Sequence, residues 1–245
     1  MSSLFLLGNG FDIAHGIPTK YSDFISFIIN LYPEALAFRD EIVYLEDCDD
    51  IEVQEFAAEI LLNAMDKAVG ENWSDFEEAL ALVNFNRKLP LANHQENETD
   101  EDDNKLMGQY LLYIDMLTSG LINCAKMWQD FFRMWIKDIQ AQIEHGSFSG
   151  HESLKELFSQ PNNKFLTFNY TKTLQVLYGA KKVIHIHNRV GQKLIFGHGQ
   201  DNATYASYIG GDTGPCLGSS FLDDMIMSFK KDTQSPLKKY NTFFK

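Results

Sequence analysis

The chain has 245 residues, 44% of them hydrophobic, and a formal net charge of −13. A chain of this length and composition buries a substantial core, so it needs neither disulfides nor metal ions to stay folded. Its acidic balance, and the lack of any cluster of Lys or Arg between aromatic residues, argue against binding of DNA or RNA along the backbone.

The first predicted element is a strand at residues 4–7, where four apolar residues stop at Gly8. Such a short, continuous apolar run is typical of a strand that is buried on both faces of a parallel sheet. Helical patterns follow, because apolar residues fall on one helical face at residues 21–29 and again at residues 56–64.

The middle of the chain is predicted to be mainly helical. Ser74 and Glu77 have the spacing of a capping box, which predicts a helix that begins near Trp73. Residues 90–104 are polar and acidic and predict a solvated loop. A long helical pattern rich in Met and aromatic residues then runs from about residue 107 to residue 143. Its aromatic stripe is more typical of a core or a subunit interface than of a cofactor site, so this helix is a candidate surface for a homo-oligomer.

The last third of the chain alternates between short helical and strand-like patterns. We predict a helix that ends at Phe158, a strand near Phe165, a helix over residues 172–178, and strands at residues 183–187 and 194–196. This alternation is typical of βαβ units. A glycine-rich loop over residues 197–218 and an amphipathic segment over residues 221–229 follow.

These elements predict a single α/β domain over residues 1–245, with a Rossmann-like parallel sheet. A large helical insertion, at about residues 33–145, separates the first strand from the others. The three cysteines lie far apart without C-x-x-C spacing, so we expect neither a disulfide framework nor a cysteine zinc site. With no signal peptide and no run of roughly 20 apolar residues, the chain is predicted to be cytoplasmic and to make no membrane contact.

Three polar motifs come directly after predicted strands. They are Gly8-Asn9-Gly10-Phe11-Asp12, Thr167-Phe168-Asn169-Tyr170-Thr171 and His185-Ile186-His187-Asn188. Ligands of open α/β sheets bind beyond the carboxyl ends of the strands. We therefore predict that these motifs, although far apart in the sequence, line one pocket.

The glycines of the first motif, Gly8 and Gly10, allow a tight turn with a close backbone approach, so that amide N–H groups and a helix N-terminus can hold a pyrophosphate. A full G-x-G-x-x-G fingerprint is absent, since the next glycine is Gly16. Asp12 places a negative charge near the phosphate, which would repel it. We therefore expect the Asp12 carboxylate to cap the helix or to accept a hydrogen bond from a ribose hydroxyl. A plain strand-to-helix turn is the alternative.

The second motif offers an amide and a hydroxyl. The side chain of Asn169 both donates and accepts, which suits ribose hydroxyls or an ordered water, and Thr171 adds a hydroxyl beside it. The alternative is structural: Asn169 or Thr171 is the N-cap of the helix over residues 172–178.

The third motif contains two histidines. His185 and His187 lie two apart in a predicted strand, so their side chains are expected to share a face. A histidine at a strand end is a ready general base, and His198 follows another strand-like run. Alternatively the pair binds a metal ion with His198 or Asp12 as a further ligand.

Several blocks of this sequence, in order, resemble those of the bacteriophage abortive-infection AbiH family. The first block is the Gly8-to-Asp12 motif together with residues 15–24. The later blocks are residues 73–77, 167–171, 185–187 and 196–198. The likeness spans nearly the whole chain, and it implies a role in defence against phage, with a phage component as the trigger.

The family pattern is in turn similar, more remotely, to that of sirtuin-like NAD-binding proteins. This similarity implies a sirtuin-like sheet in which Gly8 and Gly10 meet the pyrophosphate, Asn169 binds the ribose and His187 is the catalytic histidine. The other residues expected at the nucleotide are Asn9, Asp12, Thr167, Tyr170, Thr171 and His198.

Three positions depart from the sirtuin-like pattern. Asp12 stands where that pattern has a small hydroxyl residue, Thr171 stands where it has Asp, and Asn188 follows His187 where Gly is usual. The resemblance also implies a further strand that ends in a Gly-His-Ser type block, and without it we expect part of the nucleotide pocket to be open.

The residues and the resemblance together predict a phage-defence protein that binds NAD, as its substrate, or a related nucleotide, and hydrolyses the nicotinamide–ribose bond. Asn169 is expected to position the ribose hydroxyls and a water, and His187 to accept a proton; no metal is expected. Two alternatives stay open. One is a metal-dependent hydrolase or nuclease that uses His185, His187, His198 and Asp12, and the other is a non-catalytic nucleotide sensor or assembly module.

Overall fold

The computed structural model describes residues 3–36, 49–66, 77, 80, 101–199, 223, 226–227, 229–232 and 234–240, with only the backbone path for residues 63–66, 101–121, 125 and 237. The elements of this part of the chain are, in order, β1 (Leu4–Leu7), α1 (Asn9–Ala14), α2 (Tyr21–Leu31), a 3-10 helix (Pro33–Leu36), α3 (Asp50–Asp66), α4 (Glu101–Glu144), α5 (Glu152–Phe158), β2 (Lys164–Thr167), α6 (Thr173–Tyr178), β3 (Val183–His185) and α7 (Gln234–Lys239).

The three described strands form one parallel sheet in the order β1-β2-β3. Leu7, the last residue of β1, pairs with Thr167, the last residue of β2, and Thr167 in turn pairs with His185 at the end of β3. The carboxyl ends of the strands therefore lie in one row. This confirms a mixed α/β fold with a parallel sheet, and it places the three polar motifs at the same edge. The Rossmann-like assignment stays a prediction.

Strand β1 lies at the edge of the described sheet and is covered on one face only. Leu4 is 47% exposed and Leu6 is 66% exposed. On the other face, the ring of Phe5 packs against Phe158 and Phe165, with centroid distances of 5.1 and 5.3 Å. The prediction that this strand is buried on both faces is therefore wrong: the apolar run predicts the strand but does not reveal which neighbours cover it.

Three predicted boundaries also differ from the structure. Strand β3 ends at His185 rather than at residue 187, because the chain turns at Asn188, whose φ of 62° is left-handed. Residues 194–196 form no strand, although the N–H of Ile195 donates to the carbonyl of His187 at 3.0 Å. Helix α4 begins at Glu101, inside the predicted loop, since acidic residues also suit the first turn of a helix.

Some predictions lie outside the described residues. They are the capping residue Ser74 with the helix start near Trp73, residues 90–100 of the polar and acidic loop, and residues 200–218 of the glycine-rich loop.

The larger core forms around the second half of helix α4. Its predicted aromatic stripe is buried within the chain itself: Trp128, Phe131, Phe132 and Trp135 are at most 3% exposed. The indole N–H of Trp128 donates to the carbonyl of Ala57 in α3 at 2.9 Å. These aromatic side chains thus serve the core, and self-association through this helix stays a prediction.

A smaller core lies behind the sheet. It contains Phe158, Phe165, Leu174 and Tyr178, which come from α5, β2 and α6. Among the residues that the structure describes, no helix combines the length and apolar character needed to cross a bilayer.

Gly197 permits a close approach between two distant segments of the chain. Its φ is 145°, and a Cβ built there would lie 1.7 Å from the carbonyl oxygen of Phe229. The next residue, His198, donates its N–H to that same oxygen at 3.0 Å, and its own carbonyl accepts from Lys231. Glycine is therefore required at this position for the two segments to pair.

We expect Gly197→Ala to lower the free energy of unfolding by about 2–4 kcal/mol, because the new methyl group forces both backbone strain and separation of the paired segments. Chemical denaturation measures this change. Gly199→Ala is the matched control, since a Cβ there meets no described atom within 4 Å. Equal stability of the two variants would contradict the observed pairing.

Candidate functional site

A cavity of about 270 Å³ lies beyond the carboxyl ends of the three strands. Residues that follow each strand contribute to it, and so do residues from the helical region. The lining residues are Asn9, Asp12, Thr19, Glu77, Trp135, Ile136, Phe168, Asn169, Tyr170, Thr171 and His187. The volume is near the lower end of the range for ligand pockets, about 300–1,000 Å³.

The polar wall of the cavity is built on a contact between α1 and the turn after β2. The hydroxyl of Thr171 donates to Oδ2 of Asp12 at 2.5 Å, and it also lies 3.0 Å from the hydroxyl of Thr173. Asp12 is only 1% exposed, and its Oδ1 has no hydrogen-bond partner among the described residues. A buried acceptor at the cavity is thus available to a ligand.

Burial raises the pKa of Asp12, since a buried carboxylate loses its hydration. Hydrogen bonds from Thr171, Thr173 and Asn169, and the charge of His15, oppose this effect. The carboxylate is therefore surrounded by hydrogen-bond donors, and none of the described residues that line the cavity is Lys or Arg.

The capping roles expected for these residues are not observed. The N-cap of α1 is Gly8, and Asp12 lies inside that helix with its side chain turned towards Thr171. The N-cap of α6 is Lys172, without a side-chain capping bond, so neither Asn169 nor Thr171 caps it. The physical reason is that both side chains turn towards α1 and the cavity instead of back to their own helix.

Asn169 is fixed through its backbone and leaves its amide side chain at the cavity. Its N–H donates to Oγ1 of Thr167 at 3.1 Å, and its carbonyl accepts from Nδ1 of His185 at 2.9 Å. The residue is 7% exposed, and its Oδ1 has no hydrogen-bond partner among the described residues. Asn169 and Asp12 thus line the same cavity, and each has one acceptor oxygen without a described partner.

His185 supports Asn169 and does not line the cavity. Its Nε2 lies 2.8 Å from Nε2 of Gln175, which has a hydrogen to donate. Nδ1 is then the protonated nitrogen that donates to Asn169. Burial, the dominant cause, lowers the pKa of His185, in keeping with a neutral ring. Both ring nitrogens are used within the protein.

His187 does line the cavity. Its ring centroid lies 5.7 Å from those of both Phe168 and Tyr170. Burial and, secondly, the charge of Lys231 lower its pKa to about 4, and a hydrogen bond with the backbone of Phe168 only partly opposes them. The imidazole is therefore neutral near pH 7 and offers a lone pair.

Apolar and aromatic side chains also line the cavity. Trp135 and Ile136 come from α4, and Phe168 and Tyr170 from the turn after β2. The hydroxyl of Tyr170 donates to the carbonyl of Ile195 at 2.8 Å, and burial raises its pKa, so the phenol is neutral. The cavity thus combines a flat apolar wall with a hydrogen-bonding one.

An ion pair stands at the cavity between two otherwise separate segments. The carboxylate of Glu77 lines the cavity and contacts the ammonium of Lys231. The side chain of Lys231 is 5% exposed and that of Glu77 is 28% exposed. The charge of Lys231 also acts on His187, whose pKa it lowers.

The structure brings six of the ten predicted site residues to the cavity. They are Asn9, Asp12, Asn169, Tyr170, Thr171 and His187. The hydroxyl of Thr167 accepts from the N–H of Asn169. The ring of His198 is fully buried, and its Nε2 lies 2.8 Å from the carbonyl oxygen of Ile226. Gly8 and Gly10 do not line the cavity, but a Cβ at either would meet no described atom within 4 Å. The fold itself therefore leaves space beside this turn.

The proposed metal ligands do not assemble. The nitrogens of His185 and His198 are engaged as described above, and Asp12 is bonded to Thr171. In the described part of the chain, no group of three or more His, Cys, Asp or Glu side chains is placed to hold a metal ion.

Five lining residues were not predicted from the sequence. Phe168 lies inside a predicted motif, but Trp135 and Ile136 belong to a stripe whose pattern indicates core, and Glu77 was interpreted only as part of a capping box. Thr19 follows the first motif closely, and its carbonyl accepts from the amide of Asn9 at 2.7 Å.

A protein-family model described as bacteriophage abortive infection AbiH matches residues 4–245. The match includes every residue that lines the cavity and confirms the family resemblance drawn from the sequence. No curated protein and no solved structure matches the chain.

We expect His187 to titrate near pH 4, because burial and Lys231 both disfavour its protonated form. Its NMR ring resonances, assigned with His187→Gln, measure this directly. The unfolded ring takes up its proton near pH 6.5, so the stability that the neutral ring contributes is lost as the pH falls from about 6.5 to 4. This loss amounts to about 3 kcal/mol relative to the Gln variant. A midpoint near 6.5 would show that the ring is solvated and not part of a closed cavity.

Proposed function

Because the chain belongs to the bacteriophage abortive infection AbiH family, its role is in abortive infection, and we propose that it acts there as an NAD glycohydrolase. In this proposal the cavity binds NAD or a related nucleotide, and the chain hydrolyses the bond between nicotinamide and ribose. Loss of NAD would halt the infected cell before the phage matures.

One observation carries the proposal: Asp12 and Asn169, which line the cavity, each have a buried acceptor oxygen without a partner among the described residues, and aromatic side chains line the same cavity. Oδ1 of Asp12 and Oδ1 of Asn169 each need a donor, and unsatisfied buried polar atoms are costly unless a ligand or water completes them. The two hydroxyls of a ribose are such donors. Trp135, Phe168 and Tyr170 offer flat apolar surface for the attached ring.

The position in the fold supports a nucleotide ligand. The cavity lies beyond the carboxyl ends of parallel strands, where open α/β sheets bind their ligands. Its volume of about 270 Å³ suits a nucleoside better than a whole dinucleotide. The remainder of NAD would then extend out of the cavity, and the open space beside Gly8 and Gly10 is adjacent in sequence to the lining residue Asn9.

The proposed reaction breaks the C1′–N bond of the ribosylated nicotinamide. The bonding electron pair moves to the ring nitrogen, which releases neutral nicotinamide and leaves an oxocarbenium-like ribosyl group. Water then adds to C1′ and gives up one proton. The amide of Asn169 both donates and accepts, so it can orient the ribose hydroxyls and this water.

His187 is suited to accept the proton of the attacking water or of a ribose hydroxyl. It is a weak base at a pKa of about 4, but an oxocarbenium-like centre is strongly electrophilic and needs little activation of the water. Its neutrality is the useful property, because a protonated imidazole would offer no lone pair. A positive charge there would also oppose the cation that develops on the ribose.

We expect purified protein to release nicotinamide from NAD, and we expect Asn169→Ala and His187→Ala each to lower kcat/KM by at least about 100-fold. A coupled assay for free nicotinamide, with thermal unfolding to verify that each variant is folded, measures this. Asn162→Ala and His145→Ala are matched controls, since both residues are exposed outside the cavity.

Turnover that survives both site variants would remove the catalytic assignment. Binding of NAD without turnover by the wild-type protein would instead indicate a nucleotide sensor.

A further inference from the structure

The charged side chains of the cavity are of one sign. Asp12 and Glu77 line it, and none of the lining residues in the described part of the chain is Lys or Arg. A phosphate group placed inside would therefore meet carboxylates without a cation to pair with. The cavity is electrostatically suited to a neutral or positively charged ligand.

Asp12 is the stronger source of this preference. It is 1% exposed, and Oδ1 has no hydrogen-bond partner among the described residues, although Oδ2 accepts from Thr171. Burial raises its pKa because the charged form loses its hydration, although hydrogen bonds from neighbouring side chains and the charge of His15 oppose this effect. A cation in the cavity would supply the missing favourable interaction.

The charge of Lys231 does not cancel that of Asp12. Its ammonium contacts Glu77, and Lys231 itself does not line the cavity. Glu77 lines the cavity, whereas Lys231 does not line it and acts on the cavity residue His187 through its charge. The carboxylate of Asp12 is acted on by the charge of His15, but no Lys or Arg among the described lining residues pairs with it.

The aromatic wall favours a cation as well. Trp135 and Tyr170 both line the cavity, and the faces of such rings attract cations, Trp most strongly. The phenol of Tyr170 donates to Ile195 and keeps its proton, so the ring remains an uncharged surface.

Resting on the proposed function, we propose that the cavity is selective for a positively charged N-ribosyl pyridinium, the nicotinamide riboside end of oxidised NAD, and rejects the uncharged reduced form. The pyridinium ring would lie against the aromatic wall, the ribose hydroxyls would donate to Asp12 and Asn169, and the phosphates would remain outside the carboxylate-lined space. The same carboxylates would favour the cation that develops on the ribose as nicotinamide leaves.

The test compares two ligands that differ in charge and hardly in size. They are carbocyclic nicotinamide riboside, whose pyridinium ring is cationic and which lacks the ring oxygen needed for an oxocarbenium ion, and its neutral dihydro form. Isothermal titration calorimetry on the full chain gives both Kd values. We expect the cationic ligand to bind at least about tenfold more tightly, and Asp12→Asn to reduce the ratio of the two Kd values to about one.

Asp138→Asn is the matched control, because it removes a carboxylate from the exposed face of α4, the helix that supplies Trp135. It is expected to leave the ratio unchanged. Equal affinity of the wild-type protein for the two ligands, or tighter binding of the neutral one, would overturn the inference. This comparison uses only the wild-type protein, so it does not depend on whether a variant folds.

The two ligands are not cleaved, so the binding result is independent of turnover. Hydrolysis of NAD without charge selectivity would remove this inference and keep the proposed function. Charge-selective binding without hydrolysis of NAD would keep this inference and remove the proposed function.

Discussion

The arrangement of the cavity depends on one hydrogen bond, which joins residues 159 positions apart: the hydroxyl of Thr171 donates to Asp12. It ties α1 to the turn that carries Asn169, and it satisfies Oδ2 of the buried Asp12 carboxylate. The second oxygen has no described partner. Because a buried, half-satisfied carboxylate is costly to the folded state, its retention at a cavity is more readily explained by a ligand than by stability.

The same contact joins two of the three positions that depart from the sirtuin-like pattern, a resemblance that stays a prediction. That pattern has a hydroxyl residue at the position of Asp12 and Asp at the position of Thr171. In this chain the carboxylate is at position 12 and the hydroxyl is at position 171, and the two side chains form a hydrogen bond. The third departure, Asn188 in place of Gly, has a φ of 62°, a conformation that Asn adopts more readily than most residues.

The sequence was sufficient to predict the row of strand ends and most of the polar wall, because short apolar runs followed by polar turns mark where parallel strands stop. The sequence was insufficient to predict which residues from distant parts of the chain contact each other. Trp135 has the spacing of a core residue and is one, yet it also lines the cavity. His185 and His187 are two apart, but the strand ends between them, so one supports Asn169 and the other faces the cavity. Periodicity identifies faces of single elements and carries no information on which elements meet.

The cavity lies where the two hydrophobic cores meet, and this position bears on how a ligand would act on the fold. Asn169 and Thr171 follow β2, a strand of the smaller core, whereas Trp135 belongs to the larger core around α4. Tyr170 packs against that larger core from the same turn. A ligand held between the two walls would add contacts to both cores at once, and a ligand that binds only the folded state stabilises it by mass action. A ligand bound there would therefore couple the two cores through a single turn of the chain, residues 168–171.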